Sequence, residues 1–351
     1  MAYQKKKQKS NENYRRLRAD ITAGTVGSAY IFYGEESYLR EDCLRNLRKA
    51  LVPAGFEEFN SHRVEGKDLT VQALAEMAEA MPMMAERTLI VVTDFDIFGL
   101  NEGQREKLIE FLQDIPPYCC VVFVYDTLPY KPNRTMKKLC TALSKFVQRV
   151  EFHAQDDTDL IPWIIRHFKA LGKDIDRQDA EHLIFLCGSL MTNLVPEIEK
   201  IGAYTKGKIV TRKEIDAMAD PVLSAEVFKL SDAVIGGRRD EAAEILGDLL
   251  KMQTDPILIT ATLGSQMRRL YTARLALDSG RDRLWLMELW GYGSDYPVKM
   301  LLSSAKKTSR EWCADAVRMC QVLDRRLKSE RGIDGAGELK LLLVELEMSR
   351  K

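Results

Sequence analysis

One loop in the sequence has the placement needed to bind a nucleotide. Gly34-Glu35-Glu36-Ser37-Tyr38-Leu39-Arg40-Glu41 follows the apolar run AYIFY. A phosphate-binding NTPase carries GxxxxGK(S/T) at that place, where backbone N–H groups and a helix N-terminus hold the phosphates and the hydroxyl holds Mg²⁺. Here Gly34 stands at the first glycine position, but Leu39 replaces the second glycine, Arg40 the lysine and Glu41 the hydroxyl. Leu39 puts a side chain where backbone must approach phosphate. Glu35, Glu36 and Glu41 bring negative charge to the place of a triphosphate. The strand that completes such sites normally ends in Asp-Glu. TLIVVTDFD has Asp94 followed by Phe95, so a turn role for Asp94 is expected. The frame of an NTPase is present without its phosphate chemistry, and no nucleotide-binding residue is expected.

Other reactive groups form no constellation. His62, His153, His167 and His182 share no ligand spacing with cysteines or carboxylates, so no metal site is expected. The seven cysteines contain no CxxC pair, which fits a reducing, cytoplasmic interior. No Ser-His-Asp, Cys-His or paired-carboxylate arrangement has supporting context, so no catalytic residue is assigned. A different kind of chemistry is carried by Glu79-Ala80-Met81-Pro82-Met83-Met84-Ala85-Glu86-Arg87. A Met-Met pair beside a helix reads first as core filling. Pro82 breaks the helix and argues that Met83 and Met84 project instead. Met81 continues the apolar stripe of Leu74, Met77 and Ala78 and is expected in the core.

The elements that must position these residues alternate. AYIFY (29–33), TLIVVT (88–93) and CCVVFVY (119–125) read as buried strands, with FVQRVEF (146–152) as a fourth. Helices are expected over 38–51, from an Asp68 N-cap to Pro82, and over 104–112. Continuously apolar strands separated by helices indicate a parallel sheet covered on both faces. Beyond residue 153 the pattern is helical. Gly172, Gly188 and Gly202 are expected to close helices, Thr211 with Glu214 to open one, and Asp255-Pro256 to start a long one carrying Thr260, Leu263, Gly264, Met267, Leu270, Tyr271 and Arg274. Further helices are expected over 309–328 and 337–349. Three modules, 1–153, 154–216 and 217–351, fit the chain.

Composition bounds the function. The chain has 351 residues, with Lys+Arg and Asp+Glu both 52, so its formal net charge is zero. That balance argues against a free-standing nucleic-acid binder held by a broad basic surface. The Lys5-Lys6-Lys7-Lys9 tail and the pairs Arg238-Arg239, Arg268-Arg269 and Arg325-Arg326 are read as solvated. No apolar run is long enough to span a membrane, and no secretory signal is expected.

Taken in order, AYIFYGEESYLRED, EAMPMMAERTLIVV, GSLMTNLVPEIEKI and the tail segments VFKLSDAVIGGRRDEAAEILGDLL, DPILITATLGSQMRRLY and LDRRLKSERGIDGAGELKLLLVEL resemble the δ-subunit family of bacterial DNA polymerase III clamp loaders. The resemblance covers nearly the whole chain after the first dozen residues. It implies an α/β plus all-α architecture: a RecA-like AAA+ parallel-sheet module with a degenerate P-loop, a small helical lid domain and a C-terminal helical collar domain. It implies a non-catalytic subunit of a DNA-directed DNA polymerase holoenzyme that needs no cofactor, grips the β sliding clamp and opens its ring for loading onto primed DNA. Implied partners are γ/τ and δ-prime subunits, with primed DNA held through the assembly. The clamp-binding element falls on Met83 and Met84, where better-known relatives carry a Leu-Phe pair. An active P-loop ATPase of the same fold is the alternative, opposed by the loop Gly34–Glu41.

Overall fold

The computed structural model describes the backbone of residues 2–350 and the side chains of residues 12–350. The side chains of Lys5, Lys6, Lys7 and Lys9, expected to form a solvated tail, lie outside the described residues. The chain divides into two compact units, residues 1–154 with 190–192, and residues 155–189 with 193–351.

The first unit runs α1 (Ala2–Ala23), β1 (Ala29–Tyr33), α2 (Ser37–Leu51), α3 (Glu57–Asn60), β2 (Ser61–Glu65), α4 (Val71–Glu79), β3 (Thr88–Thr93), α5 (Glu102–Gln113), β4 (Cys119–Val124), α6 (Lys137–Phe146) and β5 (Gln148–Glu151). All five strands are parallel, in the order β2-β3-β4-β1-β5. The central strands are continuously apolar because helices cover both their faces. Every residue of β3 and β4 is buried. Parallel register sets Ile31 beside Phe123 and Ile90 beside Val121. One core layer joins these residues to Leu74 and Ala78 of α4, Leu108 and Leu112 of α5, and Leu139 and Leu143 of α6. On α2, Leu39, Cys43, Leu44, Leu47 and Leu51 form the buried stripe. Tyr14 of α1 packs edge-on against Phe152, which meets Phe32 in the same way.

The structure adds β2, an edge strand whose SHRVE sequence is half exposed and therefore shows no apolar run. It also adds α6, expected from no sequence signal.

The second unit contains α7 (Asp157–Ala170), β6 (Asp174–Ile175), α8 (Arg177–Cys187), most of α9 (Met191–Tyr204), β7 (Ile209–Val210), α10 (Arg212–Met218), α11 (Leu223–Gly236), α12 (Arg239–Lys251), α13 (Pro256–Asp278), α14 (Arg283–Trp290), α15 (Tyr296–Ala305), α16 (Arg310–Ser329) and α17 (Gly335–Met348). The sections expected as lid and collar both lie in this unit. Thr211 and Glu214 form the expected capping box of α10, and Asp255 caps α13 with Pro256 in its first turn. Gly172 and Gly188 take positive φ beyond the ends of α7 and α8. Gly202 does not close a helix. It lies inside α9, where a Cβ would come within 2.9 Å of Leu171 Cδ1, the end of an exposed side chain. Leu263, Met267 and Leu270 of α13 sit in the core with Trp312, Cys320 and Leu323 of α16 and with Leu339, Leu342 and Leu346 of α17. Among the described residues, no helix is long and apolar enough to cross a membrane.

Candidate functional site

The Met pair lies in the segment joining α4 to β3. Helix α4 starts at Thr70, whose hydroxyl accepts the Ala73 N–H at 3.1 Å, rather than at Asp68. It ends at Glu79, because Ala80 is already extended (φ −61°, ψ 124°) ahead of Pro82. The helical stripe therefore stops before Met81, which is 81% exposed and not in the core as its spacing predicted. Met83 is 52% exposed and Met84 75%, so neither fills the core. Met84 also holds φ at +52°, a left-handed conformation uncommon for a residue with a Cβ.

Three side chains fix the segment's backbone, Tyr118 and Asn60 from outside it and Arg87 from its own end. The Tyr118 hydroxyl donates to Glu79 O at 3.0 Å, closing the end of α4. Arg87 donates to the carbonyls of Val26, Gly27 and Cys119, at 2.6, 3.0 and 3.3 Å, which anchors the entry to β3. Between them, the fully buried Asn60 accepts the Met83 N–H at 2.7 Å and donates to Met83 O at 2.8 Å. The backbone is thus pinned while the methionine side chains face solvent. Met84, Ala85 and Glu86 border an open groove of about 550 Å³ with Lys49 to Pro53 at the end of α2, and Phe59 next to Asn60 is also exposed. Sequence reasoning missed Asn60, Tyr118 and Arg87, since each contributes through long-range bonds to backbone that leave no local pattern.

The loop Gly34–Glu41 lies at the opposite end of the sheet. It follows the carboxyl end of β1, whereas the Met segment precedes the amino end of β3, and all strands are parallel. Gly34 has φ +121°, and a Cβ there would overlap the backbone of Phe152. Glu36 N donates to Phe152 O at 3.1 Å, so this glycine serves a contact between the loop and the end of β5. Each charged group of the loop is taken up internally. Glu35 accepts the Ala154 N–H at 3.4 Å. Glu36, fully buried, accepts Met191 N–H at 2.9 Å and the Thr192 hydroxyl at 3.3 Å. Burial pushes its carboxyl above the usual range, against the opposing pull of those bonds. Arg40 pairs with Asp126 and donates to Gly34 O at 3.2 Å. Glu41 receives both guanidinium nitrogens of Arg63, at 2.9 and 3.1 Å, and Leu39 is buried on the α2 stripe. Gly34 and the first turns of α2, with Leu39, Arg40 and Glu41, are therefore engaged within the chain, although Arg40 Nε is buried without a partner.

Asp94 has φ +55° and acts as a turn residue. Its carboxylate accepts the N–H groups of Asp126, Thr127 and Leu128 and the Thr127 hydroxyl, at 2.6–3.1 Å. Burial alone would raise its pKa, but these bonds outweigh it and hold the carboxyl below the usual range. His182 bonds Asp216 at 2.6 Å and the Tyr296 hydroxyl at 3.0 Å, a packed polar cluster. Among the described residues, no group of three or more His, Cys, Asp or Glu is placed to hold a metal.

Residues 30–152 match the family model described as DNA polymerase III, delta subunit, and residues 224–346 match the model for the C-terminal domain of that same delta family. The chain is 26% identical over 338 residues to DNA polymerase III subunit delta of Bacillus subtilis, covering 93% of this chain and 94% of the relative. It is 23% identical over 311 residues to a probable DNA polymerase III subunit delta of Aquifex aeolicus, covering 84% of each. Among solved structures, the Bacillus subtilis DNA clamp loader delta protein superposes with a TM-score of 0.50 at 23% identity, over 95% of this chain and 99% of that one. The two-part match and the shared fold agree with a parallel-sheet module followed by a helical remainder.

Proposed function

The chain belongs to the DNA polymerase III delta-subunit family, and from that premise we propose that it is the clamp-loader subunit that grips the β sliding clamp and opens its ring. The observation that carries this reading is the Met83-Met84 pair, exposed while its backbone is fixed. Exposed large apolar side chains on a pinned segment mark a docking site more than a folding element. Burying two methionines in a partner pocket stabilises a complex by roughly 3–6 kcal/mol before association costs. Methionine's flexible thioether suits a pocket that must accept several partners.

In this reading residues 1–153 form the clamp-binding module, 154–216 the lid and 217–351 the collar that joins γ/τ and δ-prime subunits. Primed DNA is held by the assembly, in the cytoplasm. The chain itself performs no nucleotidyl transfer and binds no ATP, a reading supported by the internal use of Glu35, Glu36, Arg40 and Glu41. The active-ATPase alternative has no comparable support. The test is capture of the β clamp by the purified chain alone. Binding without other subunits, unchanged by ATP, is expected. Failure to capture the clamp, or capture that requires ATP, overturns the reading.

A further inference from the structure

Asn60 stands out as a polar residue buried where an apolar one would pack at lower cost. Its carboxamide serves only backbone. Nδ2 donates to Phe56 O at 3.0 Å and to Met83 O at 2.8 Å, while Oδ1 accepts the Met83 N–H at 2.7 Å. The two bonds to one peptide residue copy a strand pairing and leave the Met83 backbone little freedom. The next residue, Met84, is held left-handed at φ +52°, a conformation that costs free energy unless its surroundings impose it. A segment bonded only at Glu79 and Arg87 would leave the six residues 81–86 free to move, and their exposed side chains would be ordered only on binding.

We propose that Asn60 is a positioning residue, whose grip on the Met83 backbone presents Met83 and Met84 in their binding geometry before the partner arrives. The proposal rests on the reading of the Met pair as the clamp-binding element. Asn60 touches neither methionine side chain through a polar contact, so its role is preorganisation of the pair rather than contact with the clamp.

The experiment compares the full-length wild-type chain, Asn60→Leu and Met83→Ala/Met84→Ala by three readouts: β-clamp affinity, amide hydrogen exchange at residue 83, and thermal midpoint. Leucine keeps the branched shape of asparagine and removes every bond. With Asn60→Leu, protection of the residue-83 amide is expected to vanish and clamp affinity to fall by about tenfold or more, with the global unfolding transition kept. The double methionine variant is expected to lose clamp binding while keeping protection at position 83, which separates the splint from the side chains it presents. Wild-type affinity in Asn60→Leu, alongside lost binding in the methionine variant, overturns the role of Asn60 and leaves the Met pair standing. Wild-type affinity in the methionine variant overturns the underlying reading. Should Asn60→Leu not fold, Asn60→Asp carries the same comparison. It keeps the shape and the acceptor for Met83 N–H but, ionised, has no donor for the Met83 carbonyl. An affinity loss with weakened protection is expected there too, and unchanged affinity overturns the proposal.

Discussion

Two residues at the places of nucleotide-binding groups, Gly34 and Asp94, have structural reasons of their own. Gly34 keeps φ +121° against the Phe152 backbone. Gly34→Ala is therefore expected to destabilise the chain by about 2 kcal/mol or more, read from denaturant unfolding, because strain and overlap add. A nucleotide role would instead leave stability intact. Asp94 gathers four donors around one carboxylate. Asp94→Asn keeps a side chain that tolerates the left-handed backbone and so isolates the charge. Its expected cost is about 1.5–3 kcal/mol at neutral pH. Because the folded carboxyl lies below its unfolded pKa, this stability is present above the usual carboxylate range and is lost as pH falls through the folded value. The gap between wild type and variant should narrow on acidification, and a gap independent of pH would contradict this account. At this scale the sequence made the turn role of Asp94 legible, as Asp commonly ends strands. It made Met81 look buried because helical spacing carries no mark of where the helix stops.

At the scale of elements, legibility followed burial. Strands β1 and β3 were readable to the residue and β4 to within one, since both their faces are covered and their runs are wholly apolar. Edge strand β2 escaped because half its surface is wet and its residues are polar. Short helices α14 and α15 also escaped. Trp285 and Leu289 of α14 are exposed apolar residues that blur its stripe. In the proposed reading, the α4–β3 connection is the element on which function turns. Its fixation relies on the Tyr118 hydroxyl at Glu79 as well as on Asn60. Tyr118→Phe is expected to cost about 1 kcal/mol and to speed amide exchange in the last turn of α4. Unchanged exchange there would remove Tyr118 from the set of anchors.

Across the whole molecule, zero net charge is matched by local pairing. Arg238 meets Asp232 and Glu241, Arg239 meets Glu347, and Arg326 meets Glu330 and Glu338, so three of the six arginines in these pairs are ion-paired within the chain. Weak DNA binding by the isolated chain is the expected consequence, and a steep salt dependence of such binding would contradict it. On α17, Leu341, Val344 and Met348 fall on one helical face and are all exposed. In the collar reading this face meets other subunits, so Leu341→Asp/Val344→Asp should weaken co-assembly while leaving clamp capture intact. Undiminished assembly would place the contacts between subunits elsewhere. The central claim is that Met83 and Met84 hold the clamp. It is tested most directly by calorimetric titration of the β clamp into the wild-type chain and into Met83→Ala/Met84→Ala, each checked by thermal unfolding. An affinity loss of about 100-fold or more is expected, from losing about 3 kcal/mol of apolar burial, with an unchanged unfolding midpoint because both side chains are exposed. Equal affinity in the two titrations would contradict it.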